Sequence, residues 1–191
     1  LDIPLCGDWA QVASALEQQH LAFIPLGAWM PELQRMIDLR NVLGLRSPIH
    51  SLARLLNPLQ ARCGLQSIFH PGYQSVHRDA SQLLGDRVIV VKGEGGEIEV
   101  NPDSPCQLFG TSAQGIWNEE WPALSAQRHV KPAQLDPAKL LAVWHGHDTD
   151  EYGLQAITGS IALALRGLGR TREEALEQAR QVWANRLTEA V

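Results

Sequence analysis

Two stretches carry residue types and spacings that can do chemistry. KGEGGEIE, Lys92 to Glu99, is a glycine-rich turn loaded with carboxylates. LGLRSPIHSLARLLNP, Leu43 to Pro58, is dense in arginine and closes on a helix-breaking Asn-Pro. The first can hold a cation and the second can bind anions, a pairing that a phosphate-handling site needs. Bare carboxylates repel phosphate, so Glu94 and Glu97 would serve a diphosphate only through Mg²⁺, which takes a few carboxylates and keeps several waters. The turn is neither Gly-x-Gly-x-x-Gly nor a P-loop. An acidic hairpin turn in solvent stays open beside the ligand reading. Arg46 precedes a helix start, where its guanidinium can pair bidentately with a carboxylate or phosphate, or tie structurally to a nearby acid or carbonyl.

Other combinations are weaker. His145-x-His147, followed by Asp148, Asp150 and Glu151, has metal-ligand types, but no third His or Cys is fixed nearby. A solvated loop between helices is the better reading. His70 and His77 stand seven apart across a strand-to-helix transition and can converge only if the turn allows it. No Gly-x-Ser-x-Gly or Cys/His dyad suggests covalent catalysis.

Charge is segregated. Between Leu33 and Arg78 there are six arginines (Arg35, Arg40, Arg46, Arg54, Arg62 and Arg78) against Asp38. From Gly93 to Gln127 there are six acids and no Lys or Arg. Such asymmetry can mark an anion-binding face, or two opposite solvated surfaces. The net charge of −5 disfavours indiscriminate affinity for nucleic acid.

The positioning elements follow from pattern. Asp8 caps a helix to about Gln18. Leu21 to Leu26 reads as a short buried strand. Pro31 to Val42 has a helical stripe ended by Gly44, and Ser47-Pro48 opens a helix stopped at Asn57-Pro58. Gln66 to His70 reads as a strand, Tyr73 to Leu84 as a helix stopped by Gly85, and Arg87 to Val91 as a buried strand of the kind seen in parallel sheets. Residues 94–120 carry two or three short strands, and Ser125 to Gln134 a loop. Asp136-Pro137 opens a helix to about Trp144, Asp150 caps a long helix to Gly167, and Thr171-x-x-Glu174 is a capping box. Alternation of strands and helices predicts an α/β domain with helices packed on a sheet.

The 191 residues, 45% hydrophobic and 19% charged, suffice for one well-packed domain. No apolar run approaches the ~20 residues of a membrane span. Cys6, Cys63 and Cys106 are odd in number and far apart, which fits reduced thiols in a cytoplasmic protein. The first residue is Leu1, so the chain is expected to be processed, excerpted or one piece of a larger protein.

These residues resemble anthranilate phosphoribosyltransferase and its relatives, glycosyl transferase family 3. The pattern LGxRTxFNLLGPLxNP aligns on Leu43 to Pro58, where Leu43, Gly44, Arg46, Leu52, Leu55, Asn57 and Pro58 match and Ser47 replaces Thr. The family's GVF-(D/H)-P falls on Ser67 to Pro71, and its VVHGxGLDE on Val90 to Ile98. The resemblance covers residues 1 to about 187 and is to the C-terminal part of such proteins. It implies a central mixed, largely parallel sheet flanked by helices, the nucleoside phosphorylase/phosphoribosyltransferase C-terminal domain fold. Residues 30–58 would contribute helices to a small helical dimerisation domain. It also implies transfer of ribose 5-phosphate from phosphoribosyl pyrophosphate to an aromatic amine, with Mg²⁺ on the diphosphate. Arg46 lands on the arginine that faces the acceptor's carboxylate.

The chain departs from that pattern at its chemistry. The Asp-Glu metal pair becomes Glu97-Ile98, the His of VVHG is Lys92, the acceptor-helix Asn is His50, and Gly-Pro falls on Ala53-Arg54. His-Pro becomes Met30-Pro31, and the Gly-Thr-Gly-Gly-Asp and Lys-His-Gly-Asn-Arg phosphate loops are absent. These departures resemble the YbiB-type branch, with LGxRSxxHTLxRLLNP and KGEGGExE. That resemblance implies a dimer with a basic groove that binds DNA or RNA without sequence preference. Arg35, Arg40, Arg46, Arg54 and Arg62 are the positions that can line it. The favoured expectation is therefore a non-sequence-specific nucleic-acid-binding paralogue with a degenerate transferase site. The alternative is an active Mg²⁺-dependent phosphoribosyltransferase with an aromatic or nucleobase-like acceptor. Its substrate or anion site would use Arg46, His50, Arg54, Lys92, Gly93 and Gly95, with Glu97 and Glu94 as metal ligands. Expected partners are the N-terminal part of the same protein, a second copy and nucleic acid, with no membrane. An apolar patch around Leu52, Leu55 and Leu56 should stay exposed or be covered by a second polypeptide.

Overall fold

The computed structural model describes residues 3, 5–93, 100–130 and 136–187. The chain divides into two compact units, Leu1–Leu56 and Asn57–Val191.

The first unit is helical. Helix α1 (Trp9–Gln19) starts where the Asp8 carboxylate accepts from the Gln11 backbone N–H at 2.8 Å. Its Val12 and Ala15 pack with Cys6, Ala22 and Ile24 into a small core. The strand expected over Leu21 to Leu26 does not form. Among the described residues only Phe23 bridges, in parallel with Leu5, and Leu26 already opens helix α2 (Leu26–Trp29). An apolar run becomes a strand only when a neighbour pairs with it, and here Leu21 and Phe23 are about half exposed, at 48% and 54%.

The helix expected over Pro31 to Val42 breaks at Leu39 into α3 (Pro31–Asp38) and α4 (Arg40–Leu43), which ends at Gly44. Helix α5 (Ile49–Leu52) is a single turn that tightens into a 3₁₀ turn, Ala53–Leu55, before Asn57-Pro58. Proline disfavours the helical region at the residue before it, so the helix cannot continue. Of the three leucines expected to form an apolar patch, Leu52 and Leu56 are 55% and 40% exposed and Leu55 is half-buried.

The second unit is built on a four-stranded mixed sheet of order β1-β2-β3-β4, with β1 Gly64–Ile68, β2 Val88–Lys92, β3 Cys106–Ser112 and β4 Gly115–Trp121. The sheet is mixed, as expected. Its parallel share is smaller than expected: among the described strands only β1–β2 is parallel, and β2–β3 and β3–β4 are antiparallel. A two-residue connection at Ala113-Gln114 favours an antiparallel hairpin, whereas β1 and β2 need a crossover. Helix α6 (Gln74–Leu84) supplies it and stops at Gly85, whose φ of 77° suits glycine.

Strand β2 is buried on both faces, and side-chain alternation sorts its residues. Val88 and Val90 join Ile68 and Phe109 in one cluster. Ile89 and Val91 join Leu108, Trp121, Ala162, Leu163, Ala175 and Ala179 in the main core. The latter come from α8 (Glu151–Gly167) and α9 (Arg172–Asn185) as well as the sheet. Asp150 caps α8, and Thr171 with Glu174 closes the capping box of α9. Helix α7 (Pro137–Trp144) starts from Asp136, as read.

Candidate ligand-binding site

The site is laid out by the parallel pair. Ligands of α/β sheets gather beyond the carboxyl ends of parallel strands. The β1–β2 register pairs Ile68 with Lys92, so Phe69 and Gly93 are the first residues past the strands. Lys92 is exposed and Gly93 buried. The rest of the glycine-rich turn, with Glu94, Gly95, Glu97 and Glu99, lies outside the described residues. The expected metal position at Glu97 and Glu94 therefore rests on sequence alone, where one carboxylate stands in place of two. Among the described residues no group of three His, Cys, Asp or Glu side chains could hold a metal.

The arginines separate by environment. Arg35 pairs with Glu32 one helical turn away, with both side chains in solvent. Arg40, Arg46 and Arg62 are exposed and have no side-chain hydrogen bond or ion pair among the described residues. Arg54 is half-buried, not on an open polar side as its helix position suggests. Arg78 is buried: it pairs with Asp79, donates to Asn118 Oδ1 at 2.6 Å and lies over the Phe109 ring. It is a structural tie from α6 to β4 and cannot serve an external anion. Arg35, Arg40, Arg46 and Arg54 belong to the first unit, and Arg62 to the second.

His50 is half-buried, and its Nδ1 accepts from the Ser47 backbone N–H at 3.2 Å. Its Nε2 is shielded from solvent without a partner. His70 and His77 do not form a joint site. His70 is exposed between Phe69 and Tyr73, while His77 is buried with Nδ1 3.1 Å from Gln66 Oε1. His145 and His147 sit exposed in a loop with ring centroids 6.0 Å apart, as the solvated-loop reading has it.

Sequence reasoning missed the contact between Asp103 and His129. Asp103 accepts from the His129 backbone N–H at 2.7 Å and lies 2.8 Å from its Nδ1. Chiefly through that side-chain bond, the Asp103 carboxyl is held below its ordinary value. The two residues lie 26 apart with no local pattern linking them. Burial pushes the Cys63 thiol up and Cys106 to about 11, so neither is poised as a thiolate nucleophile.

This arrangement, a mixed sheet with a parallel pair and helices on both faces, has the anthranilate phosphoribosyltransferase fold. It superposes on a variant of that enzyme from Saccharomyces cerevisiae solved with Mg bound, with TM-score 0.71 and 14% identity. That match covers 92% of this chain and 54% of the yeast chain. In sequence the chain is similar to anthranilate phosphoribosyltransferases and to YbiB. It is 27% identical over 185 residues to the Xanthomonas campestris anthranilate phosphoribosyltransferase, covering 92% of this chain and 53% of that one. It is 30% identical over 108 residues to the uncharacterized protein YbiB of Escherichia coli, covering 56% of this chain and 34% of that one. The chain thus spans about half, or less, of the length of these curated relatives. No protein-family model matches it. No described helix is long and apolar enough to cross a membrane.

Proposed function

We propose that the protein is a phosphoribosyltransferase-fold paralogue of the YbiB type that binds DNA or RNA without sequence preference, its transferase site degenerate. One observation carries this reading: Arg40, Arg46 and Arg62 stand in solvent without partners among the described residues, in a segment whose only acid before Asp79 is Asp38. Guanidinium groups left free of intramolecular carboxylates are available to phosphates. The overall charge of −5 opposes such binding, though along the sequence the arginines are segregated from the acidic 93–127 segment. In this reading the working unit is a cytoplasmic homodimer that includes the part of the relatives' length this chain does not span.

The test is binding of unrelated DNA sequences across a salt series. Each neutralised phosphate contributes about 0.9 to the slope of log affinity against log salt on B-DNA. Arg46→Ala should weaken binding equally for all sequences and reduce the slope by roughly one. No salt-dependent retardation at low ionic strength would sink the proposal.

The second reading is an Mg²⁺-dependent phosphoribosyltransferase acting on an aromatic or nucleobase-like acceptor. It is favoured by the match of 92% of the chain to proteins named for that activity and by retention of Arg46. Consumption of phosphoribosyl pyrophosphate that depends on both an added acceptor and Mg²⁺ would select it.

A further inference from the structure

The carboxyl end of β1 carries aromatic surface that folding does not use. Phe69 and Tyr73 are 51% and 57% exposed, and His70 between them is exposed too. The Phe69 and His70 rings meet edge to face, with centroids 4.9 Å apart and planes at 86°. His70 and Tyr73 meet the same way at 6.4 Å and 60°. Edge-to-face contact fixes the rings against one another while leaving aromatic faces open. The residues between them are Pro71 and Gly72, so no aliphatic side chain separates the rings.

A cation ends the neighbouring strand. The β1–β2 register puts Lys92 beside Ile68, one residue before Phe69. Adjacent strands lie ~4.8 Å apart. By alternation Lys92 follows Val88 and Val90 on the face covered by α6, the helix that His70 and Tyr73 lead into. Exposed aromatic rings and a lysine, at the strand ends where α/β sheets receive ligands, match the chemistry of a planar base joined to a phosphate.

We propose that Phe69, His70 and Tyr73 form a stacking platform for unpaired nucleobases, with Lys92 on a neighbouring phosphate, so that the partner bound here is single-stranded nucleic acid. This rests on the nucleic-acid reading above and deepens it. A duplex keeps its bases stacked on each other and cannot use the platform.

The experiment compares oligo(dT), an abasic strand of equal length and a blunt duplex, each titrated against the full chain by fluorescence anisotropy. Oligo(dT) should bind tighter than the abasic strand by roughly five- to 150-fold, the range of one stacked base. Phe69→Ala with Tyr73→Ala should abolish that preference and leave duplex binding unchanged, whereas Tyr73→Phe should keep it. Lys92→Ala should keep the preference and lower the single-strand salt slope by about 0.7. Equal binding of oligo(dT) and abasic strand, or a preference that survives the double alanine variant, overturns the platform. So does loss of self-association in that variant with the preference intact, which would make the patch a contact between copies. If duplex binds but the preference is missing, only the platform falls. If none of the three binds at low salt, the nucleic-acid reading falls with it.

Discussion

Arg166 donates from Nε to Glu119 Oε2 at 2.8 Å, joining α8 to the edge strand β4 across 47 residues of sequence. The same guanidinium lies over the Trp117 ring at 4.4 Å, and Glu119 also accepts from Trp121 Nε1 at 2.8 Å. One carboxylate therefore orients both a cation and the indole that closes the core. The cation in turn covers a second indole on an exposed edge.

Removing Arg166 should cost about 1–2 kcal/mol, the sum of a largely buried ion pair and a cation–π contact. In urea unfolding, an Arg166→Ala and Trp117→Ala cycle should show a coupling of about 0.5–1 kcal/mol. Strict additivity would mean that the stacked geometry contributes nothing.

Gly167 ends α8 against Cys63, and a Cβ added there would press into the Cys63 sulfur. Gly167→Ala should therefore destabilise by about 1–3 kcal/mol despite alanine's better helix propensity. Cys63→Ala should recover most of that loss when combined with it. A double variant no more stable than Gly167→Ala alone would place the clash elsewhere.

Acid sensitivity has named origins. The His129 side-chain bond holds the Asp103 carboxyl low, the Gly153 N–H does so for Asp150, and the Thr171 N–H for Glu174. A depressed carboxyl stabilises the fold above its ordinary value and loses that contribution as pH falls through the lower folded value. Thermal melts should therefore fall steeply below about pH 4. Asp103→Asn should lower Tm at neutral pH and flatten part of the acid limb. An unchanged acid limb would show that Asp103 is not linked to unfolding.

Much of this fold was legible because helix starts carry their own chemistry. Asp8, Asp136, Asp150 and the Thr171–Glu174 box all cap as read, since each bond closes within three residues. Strand β2 was legible because burial on both faces demands an unbroken Val/Ile run. The misreadings involve partners distant in sequence. Leu21 to Leu26 has strand-like residues but no strand beside it among the described residues. Gln74, His77, Arg78 and Ser81 of α6 are buried, with Gln66 on β1 bonding both His77 and Ser81, contacts that no local pattern in the helix announces. Arg54 looked open because a one-turn helix was read as a longer one. The aromatic trio was visible as residues, but its exposure comes only from the folded surface, and the pairing of Ile68 with Lys92 only from the register.

The strand order has a consequence for how the second unit assembles. Because β1 to β4 lie side by side in the order they occur in the chain, each pairing closes a short loop. The entropy lost in closing loops grows with their length, so a sheet of sequence neighbours zips from local pieces. The two-residue turn of β3–β4 and the single crossover of β1–α6–β2 are two such pieces, and α8–α9 is a third. Each is continuous in sequence, so each can form as the chain emerges from the ribosome. Pulse-labelled hydrogen exchange should find amides of the β3–β4 ladder protected before those that bond α8 to the sheet; simultaneous protection throughout would mean a single concerted step.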